Sequence, residues 1–117
     1  MPILIWFILL SDALLGRRPV RRPADTQARV DGEAAALRLY HFEACPYCRK
    51  VRRDIRLLGV SIGMADIKRD PAAREELIRG GGKKTVPCLR IEEAGGAVRW
   101  LYESRDITSY LRGRFAT

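Results

Sequence analysis

Residues 37–58 read LRLYHFEACPYCRKVRRDIRLL, and the two halves of this stretch follow different periods. Leu37 to Phe42 alternates apolar and polar residues and is rich in β-formers, which predicts a strand. Cys45 falls in the turn that follows, and Pro46 suits a first helical position. Val51, Ile55 and Leu58 then recur at helical spacing until Gly59 stops the pattern, predicting a helix over 46–58. Its other face carries Arg49, Lys50, Arg52, Arg53 and Arg56.

Downstream, Val60 to Asp66 reads as a second short strand. Asp70-Pro71 has the cap and first-turn residues of a helix that ends before Gly80-Gly81-Gly82. Val86 to Ile91 and Ala97 to Leu101 bracket Gly95-Gly96, a hairpin signal, and Ser104 is expected to cap a last helix that turns Ile107, Tyr110 and Leu111 inward. The order β-α-β-α-β-β-α predicts an α/β domain with a four-stranded mixed sheet and helices on both faces.

Cys45-Pro46-Tyr47-Cys48 is a C-x-x-C between a strand and a helix start, the setting of a redox motif. The first cysteine stands where unpaired N–H groups and the positive end of the helix dipole favour thiolate over thiol. Its pKa is expected to fall toward the range of about 3.5 to 7.5 seen for reactive cysteines. Cys48, one turn inside and less exposed, is placed to attack a mixed disulfide on Cys45. A zinc site would need four ligands, and Cys88 and His41 do not form a second close pair, so no metal is expected. Cys88 reads as a small buried hydrophobe, His41 as structural, and Trp100 as part of the sheet core.

The 117 residues hold 22 Lys or Arg against 14 Asp or Glu, and three Cys. That length supports one small domain of the usual ~100–150 residues, which excludes a large multidomain enzyme. With 47% apolar and 31% charged residues the chain is an ordinary globular one, and three cysteines are too few for a disulfide framework. Residues 1–31 carry five Arg and three Asp, so +6 of the net +8 lies on residues 32–117. The aromatic and motif signals of nucleic-acid-binding modules are absent, so that surplus points to an anionic small molecule or an acidic partner surface rather than nucleic acid.

The apolar start, residues 1–16, has too few apolar residues for a plain spanning helix, which needs about 20. Export fits no better, because Arg17, Arg18, Arg21 and Arg22 follow the apolar run instead of preceding it. The segment is read as an anchor to the cytoplasmic face of a membrane, with residues 1–22 meeting anionic lipid and the domain in the cytoplasm. Residues 17–32, rich in Arg, Pro and Asp, are read as a solvated basic linker, leaving 33–117 as the domain.

Cys45-Pro46-Tyr47-Cys48 together with Thr85-Val86-Pro87 resembles the glutaredoxin family over residues 37–115. The resemblance implies a thioredoxin-like fold, a cis Pro87 beside the reactive cysteine, and a Val86 whose backbone meets the cysteinyl part of glutathione. Tyr102-Glu103-Ser104-Arg105-Asp106-Ile107 departs from the common glutaredoxin text and is similar to the glutathione-transferase N-terminal domain. There an acidic or amide residue followed by Ser binds the γ-glutamyl end of glutathione at a helix N-terminus, roles that Glu103 and Ser104 inherit. Phe42 stands where many glutaredoxins carry Lys, so Lys84 is the candidate for the glycyl carboxylate; Tyr47 and Thr85 complete the candidate glutathione site. A full transferase has a helical second domain, so transferase activity toward bulky electrophiles is not expected.

The activity so implied is that of a glutathione-dependent thiol–disulfide oxidoreductase, with Cys45 attacking and Cys48 resolving. Glutathione would be its co-substrate, and glutathionylated or disulfide-containing proteins its partners. Two rival readings are a membrane-tethered module that holds an iron–sulfur cluster in the glutathione pocket, and a thioredoxin-type reductant independent of glutathione. Pro46 argues against the first, since family members with Pro after the first cysteine are generally poor cluster holders, and Glu103-Ser104 against the second.

Overall fold

The computed structural model describes residues 19–116. Eight elements follow in order: α1 (Ala24–Ala34), β1 (Leu37–His41), α2 (Pro46–Leu58), β2 (Gly63–Asp66), α3 (Pro71–Gly81), β3 (Cys88–Glu92), β4 (Val98–Tyr102) and α4 (Ser104–Phe115). The strands form one sheet in the order β2-β1-β3-β4. β1 and β2 are parallel, whereas β1–β3 and β3–β4 are antiparallel, so the expected mixed sheet is present.

Alternation along the two central strands divides the core. Leu37 and Leu39 of β1 and Leu89 and Ile91 of β3 join Val51, Ile55, Leu58, Ile107, Leu111 and Phe115 on the α2/α4 side. Tyr40 and Cys88 face the other way, into a smaller cluster with Ala65, Ile67, Ala73 and Leu77 under α3. The phenol of the fully buried Tyr40 donates to Glu76, so burial leaves its hydroxyl satisfied.

The helix ends follow sequence chemistry. Asp70 accepts N–H bonds from Ala72 and Ala73 at 3.1 and 3.3 Å, with Pro71 at the first position. Gly59 closes α2 in the left-handed region at φ 68, where a side chain would be strained. The close of α3 differs from expectation. Gly80 and Gly81 are helical, and only Gly82, at φ 86, ends the helix. β2 is shorter than the strand expected from Val60, and β3 begins only after Pro87, which has no N–H to give a ladder.

The linker expected over 17–32 is corrected from residue 19 on. Residues 24–34 form α1, whose Val30 and Ala34, four apart, join the core on the α2/α4 side. Ahead of it, Val20 N–H donates to Leu57 O at 2.8 Å, and the Arg22 guanidinium donates to Leu58 O at 2.7 Å and to Phe115 O. Both acceptors are orphan carbonyls at helix C-termini, where a cation is also favoured by the helix dipole. Composition alone reads this stretch as solvated because its polar groups find their partners in α2 and α4, far away in sequence. The anchor expected for residues 1–16 lies outside the described residues, as does the start of that linker. Among the described residues no helix is long and apolar enough to cross a membrane.

Candidate active site

Register collects four loops at one end of the sheet. His41, the last residue of β1, pairs Asp66, the last of β2, while Cys88, the first of β3, lies between Tyr40 of β1 and Tyr102, the last of β4. The segments after β1 (residues 42–45), after β2 (67–70), before β3 (84–87) and after β4 (103–104) therefore share that end. The sequence-predicted residues Cys45, Tyr47, Cys48, Lys84, Thr85, Val86, Pro87, Glu103 and Ser104 all belong to these loops or to the first turns of α2 and α4.

Cys45 is the N-cap of α2, and its Sγ accepts the Cys48 N–H at 3.3 Å. A backbone N–H of the first helical turn is thereby aimed at the Cys45 sulfur. Cys45 keeps 5% exposure and Cys48 none, so Cys45 is the outer of the two cysteines. Burial, and next the hydrogen bond with Cys45, push the Cys48 thiol up from 9.0 to about 12. Burial alone raises Cys88 to about 11, against the opposing bond with Tyr102. All three cysteines are free thiols.

These raised thiols make stability fall on the alkaline side. The unfolded chain loses the protons near 9 while the folded chain keeps them, so the contribution is complete below about 9 and fades as pH rises toward 11 and 12. Denaturant midpoints measured under reductant between pH 7 and 10.5 are expected to drop above pH 9, and less steeply in Cys88→Ala. Equal slopes in the two proteins would refute the assignment for Cys88.

The turn before Cys45 is held by a residue that pattern reading left on the solvated face. Arg52 donates to Phe42 O at 3.2 Å and Glu43 O at 3.0 Å, and its Nη1 lies 3.0 Å from His41 Nδ1. A guanidinium cannot accept, so Nδ1 must be the acceptor and the ring unprotonated at that nitrogen. Burial and then Arg52 lower the His41 pKa accordingly, against the raising effects of Asp66 and Glu43. His41 is thus structural, as expected, and Arg52 fixes the approach to the thiol.

The Val86–Pro87 peptide is cis, and Pro87 is buried at the head of β3. Tyr102 OH donates to Lys83 O at 3.1 Å, which ties the loop carrying Lys84 and Thr85 to the end of β4. Phe42, Ile67, Lys68, Arg74 and Lys84 line a groove of about 420 Å³, and Lys68 Nζ sits 4.3 Å from the centre of the Phe42 ring. Lys68 and Arg74 join Lys84 here because β2 is parallel to β1; no local motif marks them.

The start of α4 departs from expectation. Glu103, not Ser104, is the N-cap, at φ 73 and ψ 119, and it makes no side-chain cap bond. Ser104 already stands inside the helix, because the left-handed Glu103 turns the chain one residue earlier than a Ser cap would. A non-glycine residue there costs about 1–3 kcal/mol, and such strain gathers where a backbone must present groups to a ligand. The first-turn N–H groups of α4 are left without a side-chain acceptor from Glu103.

A mixed sheet in this order, a C-x-x-C at the helix after the central strand and a cis proline at the head of the antiparallel strand define a thioredoxin-like domain. Residues 39–117 match the model for the glutathione S-transferase N-terminal domain, and the chain belongs to that family. It is 36% identical to glutaredoxin 3 of Escherichia coli K12 over 58 residues, half of this chain and 70% of that one. It is 32% identical to glutaredoxin 2 of the same organism over 75 residues, 64% of this chain and 32% of that one. Among solved structures, a maleylacetoacetate isomerase from Anaeromyxobacter dehalogenans, with bound dicarboxyethyl glutathione and citrate in its active site, matches at TM-score 0.54 and 26% identity; the match covers 72% of this chain and 39% of that one. The thioredoxin-like protein BC3987, as a point mutant, matches at TM-score 0.52 and 24% identity over 64% of this chain and 97% of its own, a likeness of fold.

Proposed function

We propose that this chain is a glutaredoxin-type, glutathione-dependent thiol–disulfide oxidoreductase that reduces protein–glutathione mixed disulfides and protein disulfides. The observation that carries this reading is Cys45 at the N-cap of α2, its Sγ accepting the Cys48 N–H, with Cys48 buried behind it. The identity to two glutaredoxins supports the redox reading, and the glutathione derivative in the isomerase structure supports the ligand.

In the proposed cycle the Cys45 thiolate attacks the glutathionyl sulfur of a mixed disulfide. A Cys45–glutathione disulfide forms and the protein leaves as thiolate, taking up a proton. A glutathione thiolate then attacks the same glutathionyl sulfur, giving glutathione disulfide and regenerating Cys45. With a protein disulfide, Cys45 forms a mixed disulfide with the substrate; Cys48 then attacks Cys45, releases the dithiol, and two glutathiones reduce the Cys45–Cys48 bond. The Thr85, Val86 and Pro87 segment, with Tyr47 at the rim, would take the cysteinyl part of glutathione. The uncapped start of α4 at Glu103 and Ser104 suits the γ-glutamyl carboxylate, and the groove with Lys84, Lys68 and Arg74 the glycyl carboxylate. A cytoplasmic setting, with attachment of residues 1–22 to a membrane face, belongs to the proposal on the strength of the sequence.

The test is reduction of a small glutathione mixed disulfide by the full chain with glutathione and glutathione reductase as electron source. Turnover with glutathione and none with thioredoxin reductase supports the reading; the reverse pattern would transfer the chain to the glutathione-independent class.

A further inference from the structure

We propose that the basic face of α2 is a docking surface for an acidic segment of the protein substrate, laid along the helix so that the substrate's disulfide reaches Cys45. The inference rests on the thiol–disulfide exchange reading above and adds the class of substrate that reading leaves open.

Positions 49, 52 and 56 recur at spacings of three and four, so Arg49, Arg52 and Arg56 form a single helical stripe, flanked by Arg53, on the helix that Cys45 caps. At ~1.5 Å per residue Arg56 stands about 16 Å along the axis from Cys45, the length of a five-residue extended segment. Arg49, Lys50, Arg52, Arg53 and Arg56 line a groove of about 390 Å³. Its near end is fixed to the thiol loop, since Arg52 holds Phe42 O and Glu43 O.

What marks this face is the clustering of five cations along one helix with no carboxylate among them. Elsewhere Arg38, Arg69, Arg79, Arg90 and Arg112 each meet a carboxylate within 4 Å. Among the described residues Arg49, Lys50, Arg53 and Arg56 meet none. The lone acidic residue of α2, Asp54, is buried and paired with Arg112 of α4 at 2.8 Å. Arg49 and Arg53, like Arg52 and Arg56, are four apart and repel, and Arg49 and Lys50 stand near the helix N-terminus, where the dipole disfavours cations. Support of the Cys45 thiolate accounts for the nearest charges only. The backbones of Arg53 and Arg56 stand about 12 and 16 Å along the axis from Cys45, so of the five cations these two do least for that sulfur across solvent salt. Their position is explained by an anionic partner that extends away from the thiol.

The experiment compares two glutathionylated peptides of equal length, one with four Asp or Glu beside its cysteine and one with four Lys, together with a small mixed disulfide. For the full chain, kcat/KM for the acidic peptide is expected to exceed that for the lysine peptide by about tenfold or more at low salt, the scale of electrostatic steering. The gap should close at high salt and collapse in Arg53→Glu/Arg56→Glu, while small-disulfide turnover stays unchanged. Because the preference is read first in the unaltered chain, a variant that fails to fold does not decide the matter. Equal kcat/KM for the two peptides, with the small disulfide still turned over, would overturn the docking surface alone. If that equality came with sedimentation on phosphatidylserine vesicles that Arg53→Glu/Arg56→Glu abolishes, the face would be reassigned to a lipid surface. No turnover of the small disulfide would remove the exchange reading and this inference with it.

Discussion

Cys45→Ser is expected to abolish reduction of a small glutathione mixed disulfide, lowering kcat/KM by about three orders of magnitude or more, whereas Cys48→Ser keeps it within about threefold. The asymmetry follows from the two sulfurs' surroundings. Cys45 is the outer of the two and accepts a backbone N–H, while Cys48 has no exposure and is pushed up to about 12 by burial and by its bond with Cys45. A serine hydroxyl cannot form the mixed disulfide, so nothing replaces Cys45. In the proposed cycle Cys48 serves only to release a protein dithiol, so Cys48→Ser should lose activity on a protein disulfide and accumulate a covalent complex with it. The glutathione-coupled assay, with intact-mass analysis of the trapped enzyme, separates these outcomes; an active Cys45→Ser would refute the assignment of the attacking sulfur.

The same substitution, glycine to alanine, is expected to act with opposite sign in two helices. A Cβ on Gly80 would come within 2.1 Å of the Trp100 ring, and one on Gly81 within 2.1 Å of Tyr102 Oη. Both rings are anchored on β4: Trp100 packs against Tyr40 with centroids 5.5 Å apart, and Tyr102 OH holds Lys83 O. Gly80→Ala and Gly81→Ala should therefore each destabilise by about 1–3 kcal/mol, the usual cost of overpacking. Gly113 in α4 has nothing within 4 Å of its would-be Cβ, and Gly113→Ala should stabilise by about 0.5–1 kcal/mol through helix propensity. Each kcal/mol moves the melting temperature of a domain this size by about 4–8 °C, so thermal melts resolve the signs. Gly81→Ala carries a second effect, because displacing Tyr102 frees the loop with Lys84, Thr85 and Pro87; KM for glutathione should rise in it more than in Gly80→Ala. A neutral Gly81→Ala would mean that Tyr102 yields without cost.

Periodicity made most of the fold legible. The strand at 37–41, the helix at 46–58 stopped by Gly59, the Asp70-Pro71 cap and the Gly95-Gly96 hairpin are set by local rules, and each stands where those rules put it. Residues 80–82 show the limit of such rules. A run of three glycines reads as a helix stop, yet two of them are helical, because the requirement they meet is room for Trp100 and Tyr102 from a strand some twenty residues away. Ser104 is a similar case: Ser is a common cap, but the positive φ of Glu103 starts the helix beside it.

By itself the sequence determined the order of the seven elements from β1 to α4, the place of Cys45 and Cys48 at a helix start, and the family resemblance through Thr85-Val86-Pro87, since all of these rest on neighbours in the chain. Tertiary structure alone decided the rest. It made residues 24–34 a helix bound to the core, turned Arg22 to the ends of α2 and α4, and set Arg52 under the thiol loop. It also brought Lys68 and Arg74 to Lys84, and left the other cations of α2 without a carboxylate. The physical reason is common to them. A guanidinium or ammonium reaches several ångströms from its backbone and finds its acceptor by proximity in space, and that proximity is set by strand pairing and helix packing rather than by the order of residues.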